Sequence, residues 1–242
     1  MHISAKKPEK AITTKICVSC YYYRVLVKKL EVLYEDDLCL VLNKPAGLAV
    51  QGGKGVNTSL DKILAQAFSP PPLLVHRLDK DTSGLILTAK TREAAAFFSK
   101  IFEKRDTVKQ YTAVCLGCPA SEKGIIKEDL LIRGSVKKSE TRYKVRKTGV
   151  LFPPEEGQTR TGFSVLELTL GTGRMHQIRR HLAMTGTPIL GDDKYGDFAL
   201  NKKLRKTTGL KRLLLHASRL VVPGSSSMDI CAPLPDYFSS FV

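Results

Sequence analysis

The 242-residue chain is expected to fold as one α/β (α+β) domain, residues 30–242, behind a basic N-terminal extension of residues 1–29. Three observations carry that expectation. Short apolar runs bounded by turn residues recur along the chain, and one of them, Phe163 to Leu170, alternates strictly, as strands do. Between such runs lie two stretches whose apolar residues fall at spacings of three and four, the mark of helices with one buried face. A chain of 242 residues, 43% of them hydrophobic, supplies one sizeable core and a short appendage.

Taken in order, residues 1–29 hold three consecutive tyrosines, Tyr21, Tyr22 and Tyr23, and no sustained period; an edge strand suits those side chains better than a base-stacking role. Val32 to Tyr34 and Leu38 to Leu42 read as two strands around the polar turn Glu35-Asp36-Asp37. A glycine-rich loop follows at 51–55, without the order of a Walker motif. Thr58 is placed to cap a helix whose Leu60, Ile63, Leu64 and Ala67 share one face, and Ser69-Pro70-Pro71-Pro72 ends it. Leu85 to Ala89 is a buried strand entered from a Thr82-Ser83-Gly84 bend, with Asp81 and Ser83 as turn formers. Thr91 caps a second helix, about residues 92–104, burying Phe97, Phe98, Ile101 and Phe102 as core. Lys109 to Val114 is a strand, and Ser139 to Val145 is another with basic side chains along one face. Gly149 to Gln158 is a connecting loop, after which Phe163 to Leu170 places Leu166, Leu168 and Leu170 together. Gly171 and Gly173 open a helix that Gly186 ends. Residues 197–212 read as a basic loop, and Leu213 to Ala217 and Met228 to Pro233 as closing strands.

Charge narrows the function. Lys and Arg number 39 against 23 Asp and Glu, a formal net charge of +16, and such a surplus favours a polyanionic partner, nucleic acid above all. No apolar run approaches the roughly 18 residues a membrane span requires, and Met1 to Lys10 precede no signal-type apolar core, so a cytoplasmic protein without membrane partners is expected. Cys17-x-x-Cys20 and Cys115-x-x-Cys118 lie more than ninety residues apart, outside the usual zinc-knuckle spacing, and read as ordinary thiols in a reducing compartment.

Two stretches concentrate chemistry. The loop before the Leu85 strand carries His76, Arg77, Asp79 and Asp81 within six positions, and loops held on rigid strands are where working side chains are usually placed. Asp79 stands out because it lies between Arg77 and Lys80. The second stretch is Gly171-Thr172-Gly173-Arg174-Met175-His176-Gln177-Ile178-Arg179-Arg180-His181-Leu182. A helix N-terminus carrying Arg174 is a positive site for a phosphate or a carboxylate. His176 and His181 are five apart, about 140° around a helix axis at roughly 100° per residue, so they do not share a face as metal ligands, and no metal is expected.

His76-Arg77-Leu78-Asp79-x-x-Thr82-Ser83-Gly84-Leu85 resembles the signature of the RNA pseudouridine synthases of the large-ribosomal-subunit type, the RluA family. Lys44-Pro45-x-Gly47 resembles that family's first motif, which serves the architecture of its cleft; Lys109-x-Tyr111-x-Ala113 and Pro188 to Gly196 resemble two further segments. Gly173-Arg174-x-His176-Gln177-Ile178-Arg179 resembles another, with Met175 where threonine is usual and Arg180 where a small aliphatic residue is usual. The matches span residues 31–234 and lie nearest the C-type large-subunit synthases, and residues 1–29 do not resemble the family's S4-type RNA-binding module. The resemblance implies the pseudouridine synthase fold, a mixed and mostly antiparallel sheet with flanking helices and a basic cleft across it. It implies that Asp79 is the catalytic residue, that Arg174 pairs with it, and that Tyr111 packs against the target uracil. It assigns Arg77 to the space the flipped base leaves, and Ile178 to the base's surroundings. His76, Lys44, His176, Gln177 and Arg179 complete the expected RNA-contacting set.

The implied reaction cuts the N1–C1′ bond of uridine and rejoins the sugar to C5, after the base has been flipped from its stack. Asp79 would act either as a nucleophile or as the base that deprotonates C2′. No redox change or group donor is involved, so no cofactor is expected; the partner is RNA, expected to be ribosomal, and the chain is expected to act as a monomer. The alternative is a non-catalytic RNA-binding or ribosome-assembly protein on the same fold. It would be marked by loss of Asp79, Tyr111 or Arg174, and all three are present. A metal-dependent nuclease is a third reading, weakened by the lack of a ligand cluster.

Overall fold

A computed structural model describes residues 30–152, 161–223 and 227–242. The basic extension with its three tyrosines, Cys17 and Cys20, and most of the expected 149–158 loop, lie outside the described residues. The first hairpin is formed by β1 (Glu31–Glu35) and β2 (Cys39–Lys44), and Asp36 accepts from the Leu38 and Cys39 amides in the turn. β2 pairs antiparallel with β4 (Ser83–Ala89), which is flanked near its end by the two-residue β3 (Leu73–Leu74). Further strands are β5 (Val108–Leu116), β6 (Lys123–Ile126), β9 (Thr141–Val150), β10 (Gly162–Leu170), β11 (Leu215–Val222) and β12 (Met228–Cys231). They complete a ten-stranded sheet in the order β1-β2-β4-β11-β5-β10-β9-β6, with β12 on β11 and β3 on β4. A separate hairpin comprises β7 (Leu130–Ile132) and β8 (Ser135–Lys137). Among the described residues every ladder is antiparallel except β11 on β4, as expected of a mostly antiparallel sheet.

Period-two alternation puts core on both faces of the central strands. Leu40, Leu42 and Ile86 join the larger cluster, covered by α1 (Leu60–Ala67), α3 (Gln177–Met184) and α4 (Phe198–Thr208). Cys39, Val41, Leu85 and Leu87 point the other way, against Ala94 and Phe98 of α2 (Arg92–Lys104). No helix among the described residues is long and apolar enough to cross a membrane.

Several local expectations are corrected. α1 starts from Ser59 instead of Thr58, because the Asp61 carboxylate gathers the Ser59 hydroxyl and the Gly52 and Lys62 amides. Thr91 caps α2 by accepting from the Ala94 amide, as expected, yet Phe97 is exposed: the helix meets the sheet through buried Ala94 and Phe98, with Ala95, Ile101 and Phe102 partly buried against the same cluster. Phe102 is half-buried and faces a cleft. Ser83 and Gly84 are strand residues, and the basic segment 197–212 is largely helix, capped by the Asp197 side chain on the Leu200 amide and closed by Gly209 in the left-handed conformation.

At position 84 only glycine fits. Its φ is +106°, and a β-carbon there would lie 2.2 Å from the Ala217 carbonyl oxygen. This close approach allows the short parallel ladder, Ser83 beside His216 and Gly84 beside Ala217. The Ser83 hydroxyl lies 2.9 Å from both His216 Nδ1 and Tyr237 Oη, fastening the same junction. Burial pushes His216 down to about 4, so the ring is neutral there.

Candidate active site

The loop that enters β4 is tied down from both ends. β3 stops at Leu74, which would leave the Leu87 amide without a partner; His76 Nε2 accepts from it at 2.9 Å. Burial, with Lys109 nearby, pushes His76 down to about 3, which keeps that nitrogen free to accept. Its ring stacks on Phe102 at 4.4 Å between centroids. At the far end the Lys80 carbonyl accepts from the Gly47 amide (2.9 Å) and from Lys44 Nζ (3.0 Å).

Lys44 is therefore not an RNA contact. It is fully buried, and its ammonium donates to the carbonyls of Pro45, Leu48 and Lys80 at 2.8–3.0 Å. Burial pushes its pKa down to about 7 against the pull of Asp81 and Asp79. Three carbonyls are satisfied at once only by the protonated form, which has three N–H donors. Its charge fastens the Asp79 loop from beneath.

Asp79, Tyr111, Arg77, His76, Arg174, His176, Gln177, Ile178 and Arg179 all line one cleft of about 720 Å³, and Lys44 alone of the expected set does not. Two links of the sheet bring the halves together. Gly84 sits against Ala217, and Ala217 is the partner of Tyr111 across β11 and β5, so the Asp79 loop lies beside Tyr111. Burial, then the Asp79 carboxylate, raises the Tyr111 phenol, so it stays neutral and protonated and is fitted to pack against a base. Arg77 is exposed on the same loop.

The Gly171–Arg179 segment divides its side chains between cleft and frame. Gln177 is buried and spends its amide internally: its oxygen accepts from Thr172 Oγ1 (2.6 Å) and the Arg174 amide (3.1 Å), and its nitrogen donates to the Glu140 carbonyl (2.8 Å) and Thr141 Oγ1 (3.0 Å). It locks the turn before α3 onto β9 and has little left for RNA. Ile178 is buried at the cleft wall.

The expected pairing of Arg174 with Asp79 is corrected too. Arg174 precedes α3 instead of sitting in its first turn, and its Nε donates to the Lys138 carbonyl at 3.4 Å. The arginine turned inward is Arg179. Its Nε and Nη2 donate to the two Asp192 oxygens at 2.8 and 2.7 Å, with Asp193 at 3.2 Å, so it is no free phosphate ligand either. Burial works against the Arg179 charge, but Asp192 and, further off, Asp79 outweigh it and raise its pKa. Burial likewise penalises the Asp192 carboxylate, yet the Arg179 bonds and the Tyr195 and Lys194 amides hold it below its ordinary value.

Among the described residues the one basic side chain within 4 Å of the Asp79 carboxylate is His176, whose Nε2 lies 3.8 Å from Oδ1, beyond hydrogen-bond reach and an ion pair only when the ring is protonated. His181, on another side of α3, is fully buried, with Nε2 2.9 Å from the Glu128 carbonyl and 3.1 Å from Ser139 Oγ. Arg180 donates to the Leu131 carbonyl at 3.1 Å. The unusual arginine thus tethers the β7–β8 hairpin, whose tip residue Arg133 lines the cleft.

Sequence reasoning misses the partners more than the principals. Asp192 and Tyr195 stand out only as part of a matching segment, though they hold Arg179 and His176. Arg105, Lys109 and Arg133 also line the cleft; with Arg77 and Arg174 they face it with cations against Asp79 and Glu103. Lys109 stands 5.7 Å over the Phe102 ring, and burial, with Arg105 beside it, lowers its pKa.

A family model described as RNA pseudouridylate synthase matches residues 38–184. The ribosomal large subunit pseudouridine synthase C of Rickettsia felis is 34% identical over 98% of this chain and 77% of its own length. The protein of the same name from Haemophilus ducreyi is 36% identical over 98% of this chain and 73% of its own. Among solved structures, human RNA pseudouridylate synthase domain containing 4 superposes with a TM-score of 0.74 at 27% identity, covering 90% of this chain and 95% of that one.

Proposed function

The chain belongs to the RNA pseudouridylate synthase family and is an isomerase that converts uridine to pseudouridine in RNA, and from that premise we propose that it acts on large-subunit ribosomal RNA with Asp79 as its essential carboxylate. The observation that carries the assignment is convergence: Asp79, Tyr111, Arg77 and Ile178, separated by up to about a hundred residues, line one basic cleft. The names of the relatives from Rickettsia and Haemophilus, both ribosomal large subunit synthases, support that substrate. We take residues 30–242 as the catalytic domain and the cytoplasm as its compartment; that one chain supplies every cleft residue named above supports a monomer.

The chemistry assigns each group a place. A uridine flipped from its stack enters the cleft, and Arg77 fills the space it leaves. The neutral Tyr111 ring packs on the uracil. Asp79 serves the sugar and base while N1–C1′ breaks and C1′–C5 forms; C5 loses a proton and N1 gains one, so nothing is oxidised or reduced. Arg105, Lys109, Arg133 and Arg174 meet the phosphates on either side.

The test is tritium release from ribosomal RNA transcripts labelled at uridine C5. Asp79→Asn should lower turnover by roughly 10⁴-fold or more while RNA affinity persists, because the basic rim is unchanged. Turnover within about tenfold of wild type would remove Asp79 from the role.

A further inference from the structure

We propose that Phe102 is a stacking platform for the base of a nucleotide adjoining the flipped uridine, with Arg105 at the phosphate of that nucleotide. The cleft then binds an unpaired neighbour as well as its target. The inference rests on the cleft of Asp79 and Tyr111 being the place where RNA is held.

The ring is built for a second partner. Ala94, Phe98 and Phe102 follow one another at four-residue spacing along α2; the first two are buried, whereas Phe102 is half-buried and lines the cleft. His76 stacks on one face of the ring, with centroids 4.4 Å apart and planes tilted by 30°, and His76 is itself pinned by the Leu87 amide. The platform is therefore held from behind by a fixed side chain. Lys109 Nζ stands 5.7 Å from the ring centroid, beyond the roughly 3.5–4.0 Å of van der Waals contact, and its flexible stem lets it give way to a base.

The surroundings separate base from phosphate. α2 turns Ser99, Phe102 and Glu103 to the cleft, three positions that share one helical face. Glu103 and Asp79 are the two carboxylates that line this cleft. Beside the ring the Glu103 charge repels a phosphate, while a carboxylate accepts N–H groups from base edges. Phosphate is met by Arg105, which caps the end of α2 with φ +63° and ψ +28°, a left-handed conformation in which glycine is the usual residue. Among the described residues three others than glycine have positive φ, namely Arg105, Arg133 and His176, and all three line the cleft. Strain of this kind clusters where side chains have work to do.

The platform adjoins the target's place without coinciding with it. Lys109 and Tyr111 are two residues apart on β5 and both line the cleft, and His76 lies three residues before Asp79 in one loop. Unpaired RNA that yields one base to a protein offers its splayed neighbours too, and these stack on aromatic rings. Every base has a π-face, so the ring selects an unpaired neighbour more than a particular base.

The test couples a change in the protein to a change in the RNA. The probe is a large-subunit ribosomal RNA hairpin from which the wild-type protein releases C5 tritium. It is made intact, and with the base removed from the nucleotide on the 5′ or the 3′ side of the reacting uridine. Equilibrium binding and melting temperature are read for Asp79→Asn, which leaves the RNA unconsumed, and for the same protein carrying Phe102→Leu, Phe102→Tyr or Arg105→Gly. With Phe102 present, removing one of the flanking bases should weaken binding roughly 5- to 150-fold, and Phe102→Tyr should behave alike. Phe102→Leu should bind the intact hairpin more weakly by a similar factor, and loss of that base should then cost it less than about twofold. Arg105→Gly should weaken intact and abasic hairpins equally and lower the log–log salt slope by about 0.7–0.9, while its melting temperature holds or rises as the backbone relaxes. Base removal that costs Phe102→Leu as much as its parent at both flanks assigns Phe102 to the edge of the core and overturns the proposal. If Arg105→Gly in that case still weakens binding, the cleft remains the place of the RNA; if its affinity and salt slope are unchanged as well, the cleft reading fails with the platform.

Discussion

Replacing Asp192 by Asn tests whether the buried arginine is held by charge. Arg179 is 3% exposed and Asp192 is 0%, and two short parallel bonds join them. Asn keeps the shape and an oxygen for the Lys194 and Tyr195 amides, which Asp192 Oδ1 now satisfies at 2.9 and 3.0 Å. The substitution removes the buried counter-charge and turns an amide N–H toward Arg179 Nε, leaving the arginine only the exposed Asp193; losing one partner of a buried pair costs about 3–5 kcal/mol. That is a large part of the about 5–15 kcal/mol by which a domain is stable. Arg179→Met with Asp192→Asn removes both charges and should recover to within about 2 kcal/mol of wild type, yet stay impaired in turnover, because the positive charge beneath Asp79 is gone. The pH dependence has a definite sign. Burial raises the Asp192 carboxyl and its partners more than reverse this, so its folded-state value is depressed. The pair's stabilisation is then complete above the unfolded carboxylate value of about 4 and disappears as pH falls through the folded value, so the curves of wild type and Asp192→Asn converge in acid. Urea unfolding of the three proteins across pH measures this. A loss below about 1 kcal/mol in Asp192→Asn, or a double variant no more stable than the single, would refute the reasoning.

Two further predictions concern placement and binding. Gly84→Ala must accommodate a β-carbon 2.2 Å from the Ala217 carbonyl at a φ of +106°; combined strain and overpacking should cost about 2–5 kcal/mol, read by urea unfolding, and a loss under about 1 kcal/mol would mean that the β4–β11 junction yields easily. Changing Lys202, Arg205 and Lys206 on the exposed face of α4 to Gln should weaken RNA binding and make its salt dependence shallower, by up to about 0.7–0.9 in log–log slope for each phosphate that α4 no longer neutralises, with kcat unaltered; an unchanged slope would exclude α4 from the RNA interface.

The sequence exposes the fold where periodicity decides it. β10 and the β1–β2 hairpin follow directly from alternation and turn chemistry, and α2 from its Thr91 cap. Where direction decides, the sequence is silent. Phe97 and Phe98 are adjacent and equally apolar, but only one meets the sheet. Residues 197–212 read as a loop because their charge hides a short apolar stripe, of which Leu204 is the buried residue; the Asp197 cap and Gly209 stop are the available signals. The cleft residues are legible because they lie in dense motifs, but their bearings are not. Arg174 and Arg179 share one motif, and nothing in the order of residues tells which turns inward. That depends on where α3 begins and on Asp192, thirteen positions on from Arg179, which supplies the buried counter-charge.

The positive charge of the chain thus does two kinds of work, separated by burial. Arg77, Arg105, Lys109, Arg133 and Arg174 line the open cleft, where phosphate can reach them and salt can screen them. Lys44 is closed off beneath the same cleft and Arg179 is buried in its wall, each turned to protein oxygens: three carbonyls for the lysine, two carboxylates for the arginine. Screening by salt hardly touches buried pairs. Raising ionic strength should therefore loosen RNA while leaving the Asp79 loop in place, so the salt that weakens KM acts on a population of cations distinct from the one that frames the carboxylate. A basic composition points to RNA only through the first population. The second explains why lysine and arginine recur in motifs around Asp79: a loop that must hold a carboxylate still, beside a bound polyanion, is fastened most firmly by cations the polyanion cannot reach.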